Sequence, residues 1–151
     1  GAAFRMTLPL AARPGQTVPR NGKLGTVLVA EDNATVRPAI AAMLRLAGYR
    51  VIDVPDGASL LAEWETHQDA DVLVLDVNLP DLSGPECLAR IRARQRAMGI
   101  TTSDVVPAIL TSGGAFPELP PDSKPRTFML PKPFTHRELA STVESLLAAP
   151  V

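Results

Sequence analysis

The sequence has a single cysteine, Cys87, in 151 residues, so no intrachain disulfide and no multi-cysteine zinc site can form. It lacks an excess of either charge. Fifteen Lys+Arg stand against sixteen Asp+Glu, a net charge of −1, where a nucleic-acid binder would usually carry a basic surplus. No apolar run approaches the ~18 residues needed to cross a membrane, and the N-terminus has no extended apolar core of the kind a secretory signal needs. What remains is an ordinary globular balance, 46% apolar and 21% charged, which argues against disorder for most of the chain. The length fits one domain with at most a tail or linker beside it. The expectation is a soluble cytoplasmic domain with no nucleic-acid partner and no membrane contact of its own.

Proline is the one residue in surplus, 15 of 151, roughly twice the usual ~5%. Seven prolines fall between Pro107 and Pro133 and three in the first twenty residues. Because proline fixes φ and has no N–H, neither stretch can be ordinary helix. Residues 11–25, polar and broken by Pro and Gly, are expected to be a flexible linker. Beyond them, short apolar runs alternate with segments of helical period. Strands are predicted over Thr26–Ala30, Arg50–Val54, Val72–Leu75, Val105–Leu110 and Arg126–Leu130. The run at 72–75 is apolar on both sides of the pleat, as in a strand covered on both faces.

Between the strands, Ile40, Met43, Leu44 and Ala47 form one helical stripe, starting at about Thr35 to Arg37 so that Pro38 falls in the first turn. Gly48 is placed to end that helix. Leu60, Leu61 and Trp64 mark a second helix, and Leu88, Ile91 and Met98 a third that closes near Gly99. Thr135 and Glu138 have capping-box spacing at the head of the last helix, whose stripe is Leu139, Val143, Leu146 and Leu147. Such alternation implies an α/β fold, an open, doubly wound parallel sheet. One crossover is defective. Residues 113–125 carry four prolines and two glycines, so the fourth helix is expected to be short or absent.

Ligands of such sheets bind outside the carboxyl ends of the strands. Strand one ends in Glu31-Asp32, strand three in Asp76, strand four in Thr111 and strand five in Lys132-Pro133. Three carboxylates, a hydroxyl and an amine are thus predicted on one rim. Clustered carboxylates repel and call for a cation, and Mg²⁺, a hard ion that prefers oxygen ligands, suits them. Lys132 and Thr111 beside it would cradle the equatorial oxygens of a phosphoryl group. Asp76 could then act as the nucleophile and form an acyl phosphate. Any one of these residues alone would be an ordinary turn or surface group. Their joint position at successive strand ends carries the reading.

The stretches V-L-V-A-E-D-N (27–33), V-L-V-L-D-V-N-L-P-D-L-S-G (72–84), P-A-I-L-T-S-G (107–113) and L-P-K-P-F (130–134) make the sequence resemble a receiver domain of the bacterial two-component response-regulator type over residues 26–149. The resemblance implies a flavodoxin-like five-stranded sheet of order 2-1-3-4-5. It implies Asp76 as phosphoacceptor, Asp32 as a direct Mg²⁺ ligand, Glu31 holding the metal through water and the carbonyl of Asn78 as a further ligand. Thr111 would be the switch hydroxyl, Lys132 the phosphate-sensing amine, and Lys132–Pro133 a cis bond. At the position where the family usually has its switch aromatic stands Met129, with Phe128 beside it. A flexible thioether cannot reproduce an aromatic's inward–outward rotamer switch.

Residues 1–10, G-A-A-F-R-M-T-L-P-L, resemble the last strand of a histidine-kinase ATP-binding domain. That resemblance would make the chain the C-terminal receiver of a hybrid sensor histidine kinase, tethered through residues 11–25 and held at the inner membrane by the upstream kinase. With no output domain expected after the last helix, the implied partners are the kinase core in cis or a histidine phosphotransfer protein. Two other classes compete. One is an interaction module that keeps the fold without being phosphorylated. The other is an Mg²⁺-dependent phosphohydrolase, which would lack a ready general acid because Asn78 stands where a second Asp would be needed. His67 and His136 have no metal-ligand partner and are expected at the surface. Trp64 and Cys87 are expected in the core, and Arg90, Arg92, Arg94 and Arg96 on a solvated helix face.

Overall fold

The computed structural model describes residues 24–148. The expected kinase strand and all but the last two residues of the expected linker lie outside that range. Ten elements follow one another as β1 (Thr26–Ala30), α1 (Val36–Leu46), β2 (Arg50–Val54), α2 (Gly57–Thr66), β3 (Val72–Asp76), α3 (Gly84–Ala97), β4 (Ala108–Ser112), a one-turn 3₁₀ helix (Pro121–Ser123), β5 (Thr127–Pro131) and α4 (His136–Ala148). The strands form one parallel sheet in the order β2-β1-β3-β4-β5, as the resemblance implied. Because every strand runs the same way, all five carboxyl ends open onto one rim.

The sheet is covered on both faces, which the all-buried patterns of β3 and β4 reflect. On one face Leu28, Leu73, Leu75 and Leu110 pack with Leu60 and Trp64 of α2 and Leu88 and Ile91 of α3. On the other, Val27, Val29, Val74 and Ile109 pack with Ile40 and Leu44 of α1 and Leu139 and Val143 of α4. Trp64 and Cys87 are core residues as expected. The predicted stripes hold in their centres and fail at their ends. Ala47 is exposed as the C-cap of α1, and Met98, the C-cap of α3, is 47% exposed.

Local chemistry fixes the boundaries. Asn33 Oδ1 accepts the N–H groups of Thr35 and Val36 at the head of α1, which leaves Pro38 in the first turn, and Gly48 follows α1 with φ +107°. Ser83 and Glu86 form a reciprocal capping box on α3, and Thr135 and Glu138 form the expected one on α4. Two strands are displaced from their predicted positions. β4 begins at Ala108, not Val105, because Pro107 has no N–H to pair, and it runs on through Thr111 and Ser112. β5 begins after Arg126, whose φ of +57° takes it out of strand geometry.

Between β4 and β5 the described chain has no helix beyond the 3₁₀ turn, as its prolines require. Phe116 and Leu119 from this irregular segment pack onto the α2/α3 side of the core instead. Arg92 corrects the expectation of a solvated face. Its side chain is buried, donating to the carbonyls of Val106 at 2.6 Å and Pro125 at 3.1 Å, and to Gln95 Oε1 and Thr127 Oγ1. Burial first, and the nearby charge of Arg126 second, pull its pKa down to about 10.

Candidate functional site

The rim is assembled by register. Glu31 follows β1 directly, and its N–H pairs with the carbonyl of Val54 at 3.1 Å. Asp76 closes β3 opposite Thr111 of β4, and Thr111 in turn pairs with Leu130 of β5. The N–H of Lys132 donates to the carbonyl of Ser112 at 2.8 Å, carrying the ladder to the lysine. The Lys132–Pro133 bond is cis, as expected.

Residues distant in sequence therefore meet. One carboxylate oxygen from each of Glu31, Asp32 and Asp76 lies within 4.8 Å of the others. Lys132 Nζ spans two of them, donating to Glu31 Oε1 at 2.8 Å and Asp76 Oδ2 at 3.1 Å. Asp76 Oδ1 accepts the N–H of Asn78 at 3.0 Å, and Glu31 Oε2 that of Asn33 at 3.2 Å. Glu31, Asp76 and Thr111 are buried, whereas Asp32 and Asn78 are exposed, so the cluster has a closed floor and an open mouth.

Burial raises the pKa of Glu31; the negative charge of Asp76 adds to that push, which outweighs the hydrogen bonds from Lys132 and Asn33. For Lys132, burial works against the ammonium, but its hydrogen bonds to Glu31 and Asp76 and their charges prevail and lift its pKa above the ordinary lysine value. Three carboxylates facing one ammonium form a site short of positive charge. Its donors are all oxygen, and that set fits a hard divalent cation.

Three contributors had little or no sequence signal. Arg37 donates to the backbone carbonyl of Glu31 at 3.0 Å and faces Asp53 at 3.5 Å, bracing the acidic pair from α1. Asp56 caps α2 by accepting the N–H of Ser59. Asp81 accepts the N–H groups of Gly57 at 2.8 Å and Ala58 at 2.9 Å from more than twenty residues away. Those bonds, Gly57's first, hold the Asp81 carboxyl down at about 2. His136 is exposed as expected, and His67 is half-buried at the end of α2 with its ring on the Glu63 carbonyl. The groove of about 340 Å³ between α2 and α3, lined by Leu61, Trp64, Ile91 and Arg94 among others, includes none of the rim residues.

Comparison with known proteins bears on the family and the fold. The family described as "Response regulator receiver domain" matches residues 27–111. The sensor kinase CckA of Brucella abortus is 34% identical over 127 residues, which cover 81% of this chain and 12% of the kinase. The DNA-binding transcriptional regulator NtrC of a Bradyrhizobium strain is 28% identical over 126 residues, 83% of this chain and 25% of the regulator. The chain thus spans only a minor part of the length of these curated relatives. Among solved structures, the chemotaxis protein CheY4 of Vibrio cholerae superposes with a TM-score of 0.69 at 27% identity, over 82% of this chain and 98% of its own. The receiver domain of the hybrid histidine kinase CckA does so with a TM-score of 0.64 at 30% identity, over 82% and 99%.

Proposed function

The chain belongs to the response regulator receiver domain family, and from that premise we propose that Asp76 is the residue that accepts its phosphoryl group, taken from a phosphohistidine. The observation that carries this reading is the gathering of Glu31, Asp32 and Asp76 within 4.8 Å, with Lys132 bonded to two of them. A carboxylate oxygen of Asp76 attacks phosphorus in line with the phosphorus–nitrogen bond. The acyl phosphate forms as that bond breaks, and the imidazole leaves with the electron pair. The Asn78 N–H on Oδ1 and the Lys132 ammonium on Oδ2 fix the carboxylate for attack. Thr111, buried and in register with Asp76, would donate its hydroxyl to a transferred oxygen, and Lys132 would follow the charge onto the phosphoryl group.

Asp32, Asp76 and the carbonyl of Asn78, with Glu31 through water, would hold Mg²⁺, which would supply the positive charge that the acidic rim and the incoming phosphoryl group both need. The donor is a histidine kinase core in cis or a histidine phosphotransfer protein, and the compartment is the cytoplasm. A hybrid sensor kinase as the parent protein is supported by the match to a sensor kinase and to the receiver of a hybrid histidine kinase. On this reading residues 1–10 would belong to the end of the kinase core and residues 11–25 would join it to the receiver.

The test is intact mass after incubation with a small acyl phosphodonor, with and without Mg²⁺, for the wild type and Asp76→Asn. The expected result is a gain of one phosphoryl group in the wild type with Mg²⁺ alone. No gain in any sample would instead make the domain an unphosphorylated interaction module, and sustained phosphate release a hydrolase.

A further inference from the structure

Between β3 and α3 the chain makes a tight return over residues 77–83 that carries Asn78. Both ends of this loop are fixed by close backbone contact. Gly84 donates its N–H to the carbonyl of Val77 at 3.1 Å, and a Cβ at Gly84 would fall 2.3 Å from the carbonyl oxygen of Asp76. On the α2 side, a Cβ at Gly57 would lie 2.8 Å from both Leu82 Cβ and Cys87 Sγ, so the first turn of α2 rests directly on the loop. Across that contact Asp81 accepts two N–H groups, one on each carboxylate oxygen. The first turn of a helix has N–H groups without intrahelical partners and a partial positive charge, so it holds a carboxylate firmly. Asp56, the N-cap residue, separately accepts the N–H of Ser59 at 2.7 Å, so the head of α2 is held by one carboxylate from its own start and a second from the loop. The second carboxylate therefore does something besides end the helix: it ties the loop to α2.

We propose that Asp81 is a positioning residue for the phosphoacceptor site: by anchoring the 77–83 loop to α2, it holds the Asn78 N–H on Asp76 and the Asn78 carbonyl in place as a cation ligand. The proposal rests on the metal-dependent reading above. It assigns Asp81 no contact with substrate or ion. Groups that orient metal ligands without touching the metal typically contribute about 10–100-fold to its affinity, and the lower end suits a group acting through a peptide loop.

The test titrates Mg²⁺ into wild type, Asp81→Ala, Asp81→Asn and Asp56→Ala, following the Asn33 and Asn78 amide resonances. In parallel, amide exchange at Asn78 is measured in the metal-free proteins, and folding is verified by denaturation. Asp81→Ala is expected to weaken Mg²⁺ about tenfold and to speed exchange at Asn78. Asp81→Asn, which keeps one acceptor oxygen, falls between it and wild type and serves if the alanine variant does not fold. Asp56→Ala loosens the same helix end and lowers stability while leaving Mg²⁺ affinity and Asn78 exchange at wild-type values, which separates loop positioning from helix capping. Equal affinity and equal Asn78 exchange in wild type and the Asp81 variants would overturn the proposal. A wild type that binds no Mg²⁺ would overturn the metal reading, and the exchange arm would still decide whether Asp81 holds the loop.

Discussion

The two crossovers that flank β4 solve one problem in different ways. From β3 to β4 the chain uses a 14-residue helix, α3, with a capping box at its head and a buried stripe against the sheet. From β4 to β5 it uses irregular chain with one 3₁₀ turn, yet β5 pairs with β4 in parallel over five residues. A crossover helix supplies apolar cover for the sheet and satisfies its own backbone. In the second crossover these duties are separated. Phe116 and Leu119 supply cover, and Arg92, reaching out of α3, bonds to Val106 just before β4 and to Pro125 and Thr127 where β5 begins. One helix thus braces both crossovers. The substitution leaves a gap at the edge: Phe128 and Met129 of β5 are 50% and 42% exposed. The strand that delivers Lys132 to Asp76 is therefore the least covered of the five, and thinly covered elements open most readily.

The largest expected effect comes from removing the brace. Arg92→Met keeps the aliphatic stem, strands the carbonyl of Val106 in the interior and takes the arginine's bond from the half-buried carbonyl of Pro125, which keeps Thr127 Oγ1 at 3.3 Å. Relief from burying a guanidinium offsets part of that loss. Each lost hydrogen bond to a charged group is worth about 1.5–3 kcal/mol, so a net destabilisation of about 3 kcal/mol is expected. The urea midpoint reads the total. Amide exchange locates it: Ala108, whose N–H pairs with the Arg126 carbonyl, and β5 should lose protection more than β1 or β2. Uniform loss across the sheet would mean that Arg92 is only another core residue and that the crossovers do not differ as argued.

Much of this was legible in the sequence, and the gaps have physical reasons. Short apolar runs gave the five strands, and the positions of Asp32, Asp76, Thr111 and Lys132 at their ends placed the rim, because a parallel sheet brings all its carboxyl ends together. The missing helix followed from proline's lack of an N–H. Boundaries moved where one residue overrode the pattern, as Pro107 did for β4. Charge alone puts Arg92 on the wrong face of α3. Leu88, Ile91, Arg92 and Gln95 fall at i, i+3, i+4 and i+7, so the helical period places Arg92 and Gln95 on the buried stripe with the apolar residues. Asp81 left no such trace: its partners Gly57 and Ala58 lie on another helix, and nothing in P-D-L-S-G encodes where that helix begins.

A smaller effect is expected from the helical crossover. Ser83→Ala removes one half of the capping box on α3, leaving the N–H of Glu86 without its acceptor. An N-cap of this type is worth about 1 kcal/mol, and the loss should appear as a lower urea midpoint with extra exchange confined to the first turn of α3. Arg92 lies two turns further along the helix, so β5 should keep its protection. If β5 loosened as well, the brace would depend on the whole helix and not on the arginine's immediate surroundings.

The smallest effect sits where β5 begins and separates backbone strain from side-chain bonding. Arg126 holds φ +57° while its guanidinium donates to the carbonyls of Ser103 and Val105 at 3.0 and 3.2 Å. The left-handed conformation costs a non-glycine residue about 1 kcal/mol. Arg126→Gly removes that cost together with the two hydrogen bonds, and it adds freedom to the unfolded chain. These contributions oppose one another, and a net change within about 0.5 kcal/mol is expected. Arg126→Ala loses the same bonds and keeps the strain, so it should be less stable than the glycine variant by about 0.5–1 kcal/mol. An alanine variant as stable as the glycine variant would show that the start of β5 can relax out of its left-handed turn. The irregular crossover would then be anchored by Arg92 and its apolar plugs, without a fixed backbone conformation at Arg126.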